Sequence, residues 1–400
     1  MTKEPADVIV VGAGPVGLLT ALGLSQAGLD VTVVEAEPAL NDSPRAISYL
    51  WFVFDLLDRL GIMSDVDNAG LRSTTGMTLR VLRTGEQITL SFDVLEDLTP
   101  RPYVIELGQD RFGAIVLEHL LARPGASVHW NTRVTGLTQD DDEVRLTAEG
   151  PDGPHEYRSR WVVGADGASS AIRQALGLGY AGTTWPERFV ATNVRYDFEA
   201  YGYALTNLVI DPALGAVVAK IDDTGLWRVT YAEDLDLPVE SVLDRMPAYF
   251  AKTLPGSQEY ELVHHSPYRM HQRAAETFRA GRVLLAGDAA HATNPTGGLG
   301  LTSGLLDADV LYPALAAVIR GEAPEPVLDR YSDDRRRAFL EIASPQASEL
   351  KRLVYHSTDP DRLESDLAGL RAVAADAAKR RESQLALARL RTPQLVPVTP

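Results

Sequence analysis

The chain has 400 residues, 45% of them apolar and 23% charged, with a formal net charge of -17 and no cysteine. That length predicts two or three domains sharing cores, enough to bury a large ligand, and the acidic balance excludes non-specific nucleic-acid binding, which needs a basic footprint. The absent thiols exclude disulfides, thiolate metal sites and a catalytic cysteine.

The start, Met1-Thr2-Lys3, leads into a strand within a few residues and leaves no room for a signal peptide. No basic helix and no apolar run of about 18 residues appears, so neither a membrane span nor a membrane-surface helix is expected, and a cytoplasmic location is. The apolar run Asp7 to Val11 predicts a buried parallel strand. It is followed at once by Gly12-Ala13-Gly14-Pro15-Val16-Gly17. Gly12 allows the tight turn, Gly14 lets the backbone approach a pyrophosphate, and Gly17 lets a helix pack close to the strand. That helix is predicted from Pro15 to Gln26, with proline in its first turn, where a missing N–H is harmless. Its N-terminus offers free amides and a positive dipole end to phosphate. A second strand, Val31 to Val34, ends in Glu35, roughly twenty residues on, where a carboxylate accepts both ribose hydroxyls. An adenine dinucleotide is expected here.

Further along, Ala46 to Leu60 reads as a long aromatic-rich helix, with Tyr49, Trp51, Phe52 and Phe54 as core. Met77 to Phe92 reads as two strands joined at Thr84-Gly85, and Gln109 to Ala122 as a helix. Asp140-Asp141-Asp142-Glu143 is a solvated turn lacking the ligand spacing of a calcium loop. The strand Trp161-Val162-Val163 enters Gly164-Ala165-Asp166-Gly167, after which Ser169 or Ser170 caps a helix carrying Arg173. From Arg188 to Tyr231, short β-like runs with turns at Asp211-Pro212, Asp222-Asp223 and Thr224-Gly225 predict an antiparallel sheet. A helix over Val239 to Leu254 and a strand near Glu259 to His265 follow. The strand Val283 to Ala286 runs into Gly287-Asp288-Ala289-Ala290-His291, then Pro295 and Gly297-Gly298-Leu299-Gly300, which open a helix from Leu301 to about Ile319. Beyond Pro324, Ala, Leu, Arg and Glu at helical spacing predict two or more helices, and the proline-bearing end from Arg391 to Pro400 is irregular. The eight histidines show no metal-ligand spacing, and adjacent His264 and His265 cannot share one face of a strand, so no metal is expected.

The three glycine-rich fragments, in this order, resemble the FAD-dependent aromatic hydroxylases: single-component flavoprotein monooxygenases that take electrons from NAD(P)H and insert one atom of O2. The resemblance implies an α/β (mixed α+β) chain. A Rossmann-like FAD-binding domain (1–75, 101–185, 270–323) would be interrupted by an antiparallel-sheet substrate domain (76–100, 186–269). A C-terminal helical region (324–400) would follow. It implies that Gly12, Gly14, Pro15, Gly17 and Glu35 hold the adenine side of a non-covalent FAD, with Arg45 near the pyrophosphate and Gln109 and Asp288 near the flavin and ribityl chain. Asp166 and Arg173 would hold FAD and admit the nicotinamide; for Arg173, pairing with a carboxylate is the equal alternative. Gly300, Leu301 and Thr302 would meet the flavin pyrimidine edge, with Leu301-Thr302 standing where relatives often carry Asn. Pro295 would lie at the oxygen-transfer site with Gly298, its carbonyl poising a substrate hydroxyl. Asn193, Arg195, Tyr203, Asn207, Trp227 and Arg228 are the substrate candidates on the second sheet, with Trp227 and Arg228 facing opposite ways. His291 is expected to be structural.

The implied chemistry is hydride transfer from NADPH or NADH to FAD, addition of O2 at flavin C4a, and attack of an electron-rich aromatic carbon on the hydroperoxide. A small aromatic substrate and O2 are the expected partners, with the protein a monomer or homodimer. A halogenase on the same scaffold is disfavoured, since its Gly-Trp-x-Trp-x-Ile-Pro signature is absent. A flavin-dependent dehydrogenase or reductase, and a flavin-binding protein without turnover, are the remaining alternatives.

Overall fold

The computed structural model describes residues 6–256 and 259–398, so Met1 to Lys3 and the final Pro400 lie outside the described residues. The β-branched run Ala6–Val11 forms the centre of an eight-stranded sheet. Its parallel neighbours are Gly153–Gly164 on one side and Val31–Val34 on the other, with Val283–Leu285 and Ala126–His129 outside them. The helix Pro15–Gln26 packs on this sheet together with Gln109–Leu121 and Leu299–Ile319. The last of these is 21 residues long and apolar enough to cross a membrane by composition, yet 94% of its most apolar window is buried inside the protein. It is the core helix.

A second eight-stranded sheet is mostly antiparallel, in the order His291–Ala292, Glu261–Ala275, Tyr180–Arg195, Leu226–Asp234, Ala216–Lys220, Thr206–Ile210, Met77–Val81, Gln87–Leu90. Met77–Val81 and Gln87–Leu90 form the expected hairpin, and Met77–Val81 pairs in parallel with Thr206–Ile210. The helix Val242–Thr253 covers one face, burying Trp227, Val229, Tyr231 and Phe250. The other face looks toward the first sheet.

The reading of Ala46 to Leu60 as one helix is corrected. Ser48–Tyr49 is a strand, Trp51–Val53 a single tight turn, and the helix covers only Phe54–Arg59. Pairing wins over pattern here: Ser48 and Tyr49 join Glu106 and Ile105 in a three-stranded sheet, and the Tyr49 ring stacks on Phe112 at 4.6 Å. The aromatic residues are core, as expected, with Tyr49, Phe52 and Phe54 buried. Asp140 to Glu143 is the turn between Arg133–Gln139 and Val144–Gly150. After Pro324 come the helices Pro326–Ala338, Ser344–Tyr355, Pro360–Ala375 and Ala377–Ala388, with a π-helical turn at Phe339–Ala343. Tyr331, Phe339 and Leu390 belong to the main core.

Candidate active site

A cleft of about 1320 Å³ runs between the two sheets, and all three glycine-rich fragments line it. That exceeds the roughly 300–1,000 Å³ of a pocket for one small ligand, which leaves room for a dinucleotide and a second molecule.

At one end the backbone makes the walls. Gly12 has φ +106°, and a Cβ there would lie 2.4 Å from the Ala165 carbonyl oxygen; one on Gly17 would lie 2.0 Å from the Gly12 oxygen. A Cβ on Gly14 would meet nothing within 4 Å, because that residue opens onto the cleft. The first turn of Pro15–Gln26 opens there too, with its unpaired amides. The Glu35 carboxylate overhangs this loop, accepting from the Ala13 amide at 2.6 Å and from the Glu37 amide at 2.9 Å. An open glycine loop, a helix N-terminus and an acid at the end of the next strand together fit the adenosine and pyrophosphate of FAD.

The middle of the cleft is lined by Arg45, Gln109, Asp166, Asp288, Pro295, Gly298, Gly300 and Leu301. Gly298 is left-handed at φ +67° and precedes helix Leu299–Ile319, whose N-terminus also opens onto the cleft. Asp166 accepts from Ser170 Oγ at 2.5 Å and the Ile172 amide at 3.1 Å, while Ser170 caps its helix by accepting from the Arg173 amide. Burial raises the carboxyls of Asp166 and Asp288 above the usual range. Beneath this region lies a dry ionic cluster. Asp307 accepts from the Gly287 amide at 3.0 Å, from His291 Nε2 at 2.7 Å and from Arg335 Nε at 2.9 Å. His291 is thus structural.

Three residues of the expected FAD set, Gly17, Arg173 and Thr302, do not line the cleft; Gly17 packs against the Gly12 backbone instead. Among the described residues Arg173 pairs with no carboxylate, nor does it reach the cavity; it donates to the carbonyls of Ala289 at 2.8 Å and Ala168 at 2.7 Å, and stacks 3.8 Å from the Tyr180 ring. It ties the second glycine fragment to the third. The Thr302 hydroxyl donates to the Gly298 carbonyl at 3.0 Å, so its own helix absorbs it.

The far end of the cleft is made by side chains. The sheet face toward it carries Leu79, Ala191, Thr206, Leu208, Val217, Ala219, Arg228, Thr230, Tyr268 and Met270. Of the six substrate candidates, Arg228 alone lines it. Trp227 and Asn207 point to the covered face, Trp227 into the core and Asn207 onto Ala204 and Val218 carbonyls. Tyr203 packs against that same core, under the Arg80 guanidinium at 3.9 Å. Asn193 shares the cleft face but lies behind Arg228, whose Nε and Nη2 donate to its Oδ1 at 3.1 and 2.9 Å. Arg195, at the strand's outer end, engages Thr224 and Glu261. Strand alternation decides the faces; helix Val242–Thr253, by covering one of them, decides which is the cleft.

Arg228 is 7% exposed and also donates to the Arg45 carbonyl, and among the described residues no carboxylate pairs with it. Burial lowers its guanidinium to about 10 and raises the neighbouring Tyr268 phenol to about 12. His271, also lining the cleft, is lowered by burial and by Arg273. Across from the sheet stand Ser48, Leu50 and Glu106, none of which was expected here. The signal available for Glu106 was an acid inside the apolar run Val104-Ile105-Glu106-Leu107.

The comparisons with known proteins agree with this geometry. The sequence model of the FAD binding domain matches residues 5–343. This chain belongs to the FAD-dependent aromatic hydroxylases. It is 47% identical over 345 residues to para-nitrophenol 4-monooxygenase of Pseudomonas sp. (strain WBC-3), covering 85% of each chain. It is 45% identical over 350 residues to 6-hydroxy-3-succinoylpyridine 3-monooxygenase of Pseudomonas putida (strain DSM 28022 / S16), covering 87% of this chain and 89% of the relative. The crystal structure of p-nitrophenol 4-monooxygenase from Pseudomonas putida DLL-E4 superposes with a TM-score of 0.94 at 43% identity, over 97% of this chain and 98% of that one. This hydroxylase is therefore an FAD-dependent aromatic monooxygenase.

Proposed function

We propose that this hydroxylase acts on a small monocyclic phenol whose ring carries an anionic or nitro-type oxygen group, with NADH or NADPH as a transient hydride donor. The observation that carries this is Arg228, a buried guanidinium that opens onto the cleft with no carboxylate partner among the described residues. A desolvated cation with free bonding capacity favours an oxygen-rich anionic partner. The floor around it, Leu79, Ala191, Leu208, Val217, Ala219 and Met270, is apolar and suits a ring. The two relatives above are named for a nitrophenol and a hydroxylated succinoylpyridine, each a single six-membered ring with an oxygen-bearing substituent.

Bound FAD supplies O2 activation and delivery of one oxygen atom. We assign Gly12, Gly14, Pro15, Gly17 and Glu35 to its adenosine and pyrophosphate, and Arg45, Gln109, Asp166, Asp288 and Gly300 to its remainder. The N-terminus of Leu299–Ile319 favours negative charge at the cleft. Pro295 and Gly298 shape the wall nearest the ring, Arg228 orients the ring, and the apolar floor excludes water. In this reading residues 1–75, 101–185 and 270–323 serve FAD, except that Ser48, Leu50, Glu106, Pro295 and Gly298 face the substrate end; residues 76–100 and 186–269 serve the substrate, and the helices after residue 324 brace both.

The test is nicotinamide oxidation by the FAD-loaded protein with 4-nitrophenol and with 4-ethylphenol, product being identified in each case. Acceleration and oxygenated product with 4-nitrophenol, and at least tenfold less with 4-ethylphenol, are expected. Preference for the uncharged phenol, or turnover of polycyclic phenols alone, would refute the reading.

A further inference from the structure

Glu106 ends the strand Val104–Glu106 and is wholly buried, yet it lines the substrate end of the cleft. Among the described residues it has no ion-pair partner; its carboxylate accepts from Ser48 Oγ at 2.6 Å and from Thr206 Oγ1. Ser48 and Thr206 also line the cleft. A dry carboxyl without a cation is unfavourable, and the packing does not call for one, since Val104, Ile105 and Leu107 around it are ordinary core.

Register places this group relative to Arg228. Thr206 pairs with Ala219, Ala219 with Arg228, and Arg228 with Asn193, in one row across the sheet. Neighbouring strands lie about 4.8 Å apart, so Thr206 and Arg228, two strands apart in this row, are on the order of 10 Å apart. Between them stands only the methyl of Ala219. The row is a slot with a cation at one end, a hydroxyl-held carboxyl at the other, and space for a ring in the middle.

We propose that Glu106 accepts the proton of the substrate's phenolic hydroxyl, directly or through the Ser48 or Thr206 hydroxyl, while Arg228 holds the group at the opposite end of the ring. The inference rests on the reading of Arg228 given above. In this step the phenol O–H bond breaks and its electron pair stays on the oxygen, enriching the para carbon. The proton forms the O–H of the Glu106 carboxylic acid and is given up to the product oxygen or to water when product leaves. No electron is lost or gained by the protein.

The electrostatics agree with that role. Burial pushes the Glu106 carboxyl up to about 7, against the downward pull of the Ser48 and Thr206 hydroxyls, which places it near neutrality as proton exchange requires. The ionisable groups gathered around it are Tyr49, from the strand Ser48–Tyr49, and, acting on that same tyrosine, Asp110 of helix Gln109–Leu121 and Arg228 across the slot.

The ionisation of bound 4-nitrophenol tests this, because its phenolate has a visible band of its own. The FAD-loaded protein, Glu106→Gln and Thr206→Val are each saturated with the phenol and titrated with pH, flavin absorbance reporting that each is folded and loaded. In the unaltered protein the bound phenol is expected to ionise below the midpoint of the free compound. In Glu106→Gln the bound midpoint is expected to rise by about one pH unit or more, with a smaller rise in Thr206→Val. Equal midpoints in the unaltered protein and Glu106→Gln would overturn the role of Glu106 while leaving Arg228 in place. If the unaltered protein binds no para-substituted phenol, the substrate reading fails first and takes this inference with it.

Discussion

The two ends of the cleft are built on different principles. At the FAD end the working groups are largely backbone, namely glycines without Cβ atoms, open helix N-termini and carbonyl-tied loops set within short runs of sequence, joined by side chains such as Glu35 and Asp288. At the substrate end they are side chains from Ser48, Glu106, Thr206 and Arg228, on four separate strands. The first kind of site is generic and rigid. The second is specific, and it carries unfavourable charge that the fold does not need.

That contrast can be broken in order of effect. The FAD end stands on the buried Asp307 cluster, so Asp307→Ala should strand Arg335 and His291 and lower stability by about 3–5 kcal/mol, read by denaturant or thermal unfolding. A loss under about 1 kcal/mol would mean that the cluster does not support the loop. Gly12→Ala forces a side chain into positive φ against the Ala165 carbonyl. Strain of about 1–3 kcal/mol should fall on the pyrophosphate loop itself, and flavin content after purification should drop several-fold.

At the substrate end the sign reverses. The Glu106 carboxyl is raised in the folded state to about 7 from 4.5, so the native protein holds a proton that the unfolded chain releases. Stability is therefore lost as pH rises from about 4.5 through about 7. Glu106→Gln should be equal to the unaltered protein at low pH and more stable by about 3 kcal/mol at pH 8. A variant less stable at pH 8 would show that the carboxyl is there for packing. Smallest of all, Arg195→Ala, which removes a half-exposed contact to Thr224 and Glu261 away from the cleft, should change KM less than twofold.

The same division explains what was legible in the sequence. Helix Pro15–Gln26 and strand Val31–Val34 appear where the glycine spacing and apolar runs put them, because their signals are local. The Ser170 cap and the structural role of His291 were legible for the same reason. Ala46 to Leu60 was not, since Ser48 and Tyr49 take their conformation from pairing with residues some sixty positions away. Alternation separates Trp227 from Arg228, but which of them meets the cleft depends on helix Val242–Thr253, which follows them in sequence. Arg173 has the right place for a site residue, yet its donors are consumed by Ala168 and Ala289 carbonyls, which only the folded loops bring together. Glu106 acquires its neighbours from Ser48 and Thr206, and no motif links the three.

The most direct measurement is the binding of 4-nitrophenol to the FAD-loaded protein and to Arg228→Met, followed by the change in the flavin spectrum. A charge-assisted contact of about 1.5–3 kcal/mol corresponds to Kd weakened by about 10- to 100-fold, with flavin content unchanged. Equal Kd values for the two proteins would contradict the assignment of the substrate end, and loss of flavin instead of phenol would contradict the division of the cleft.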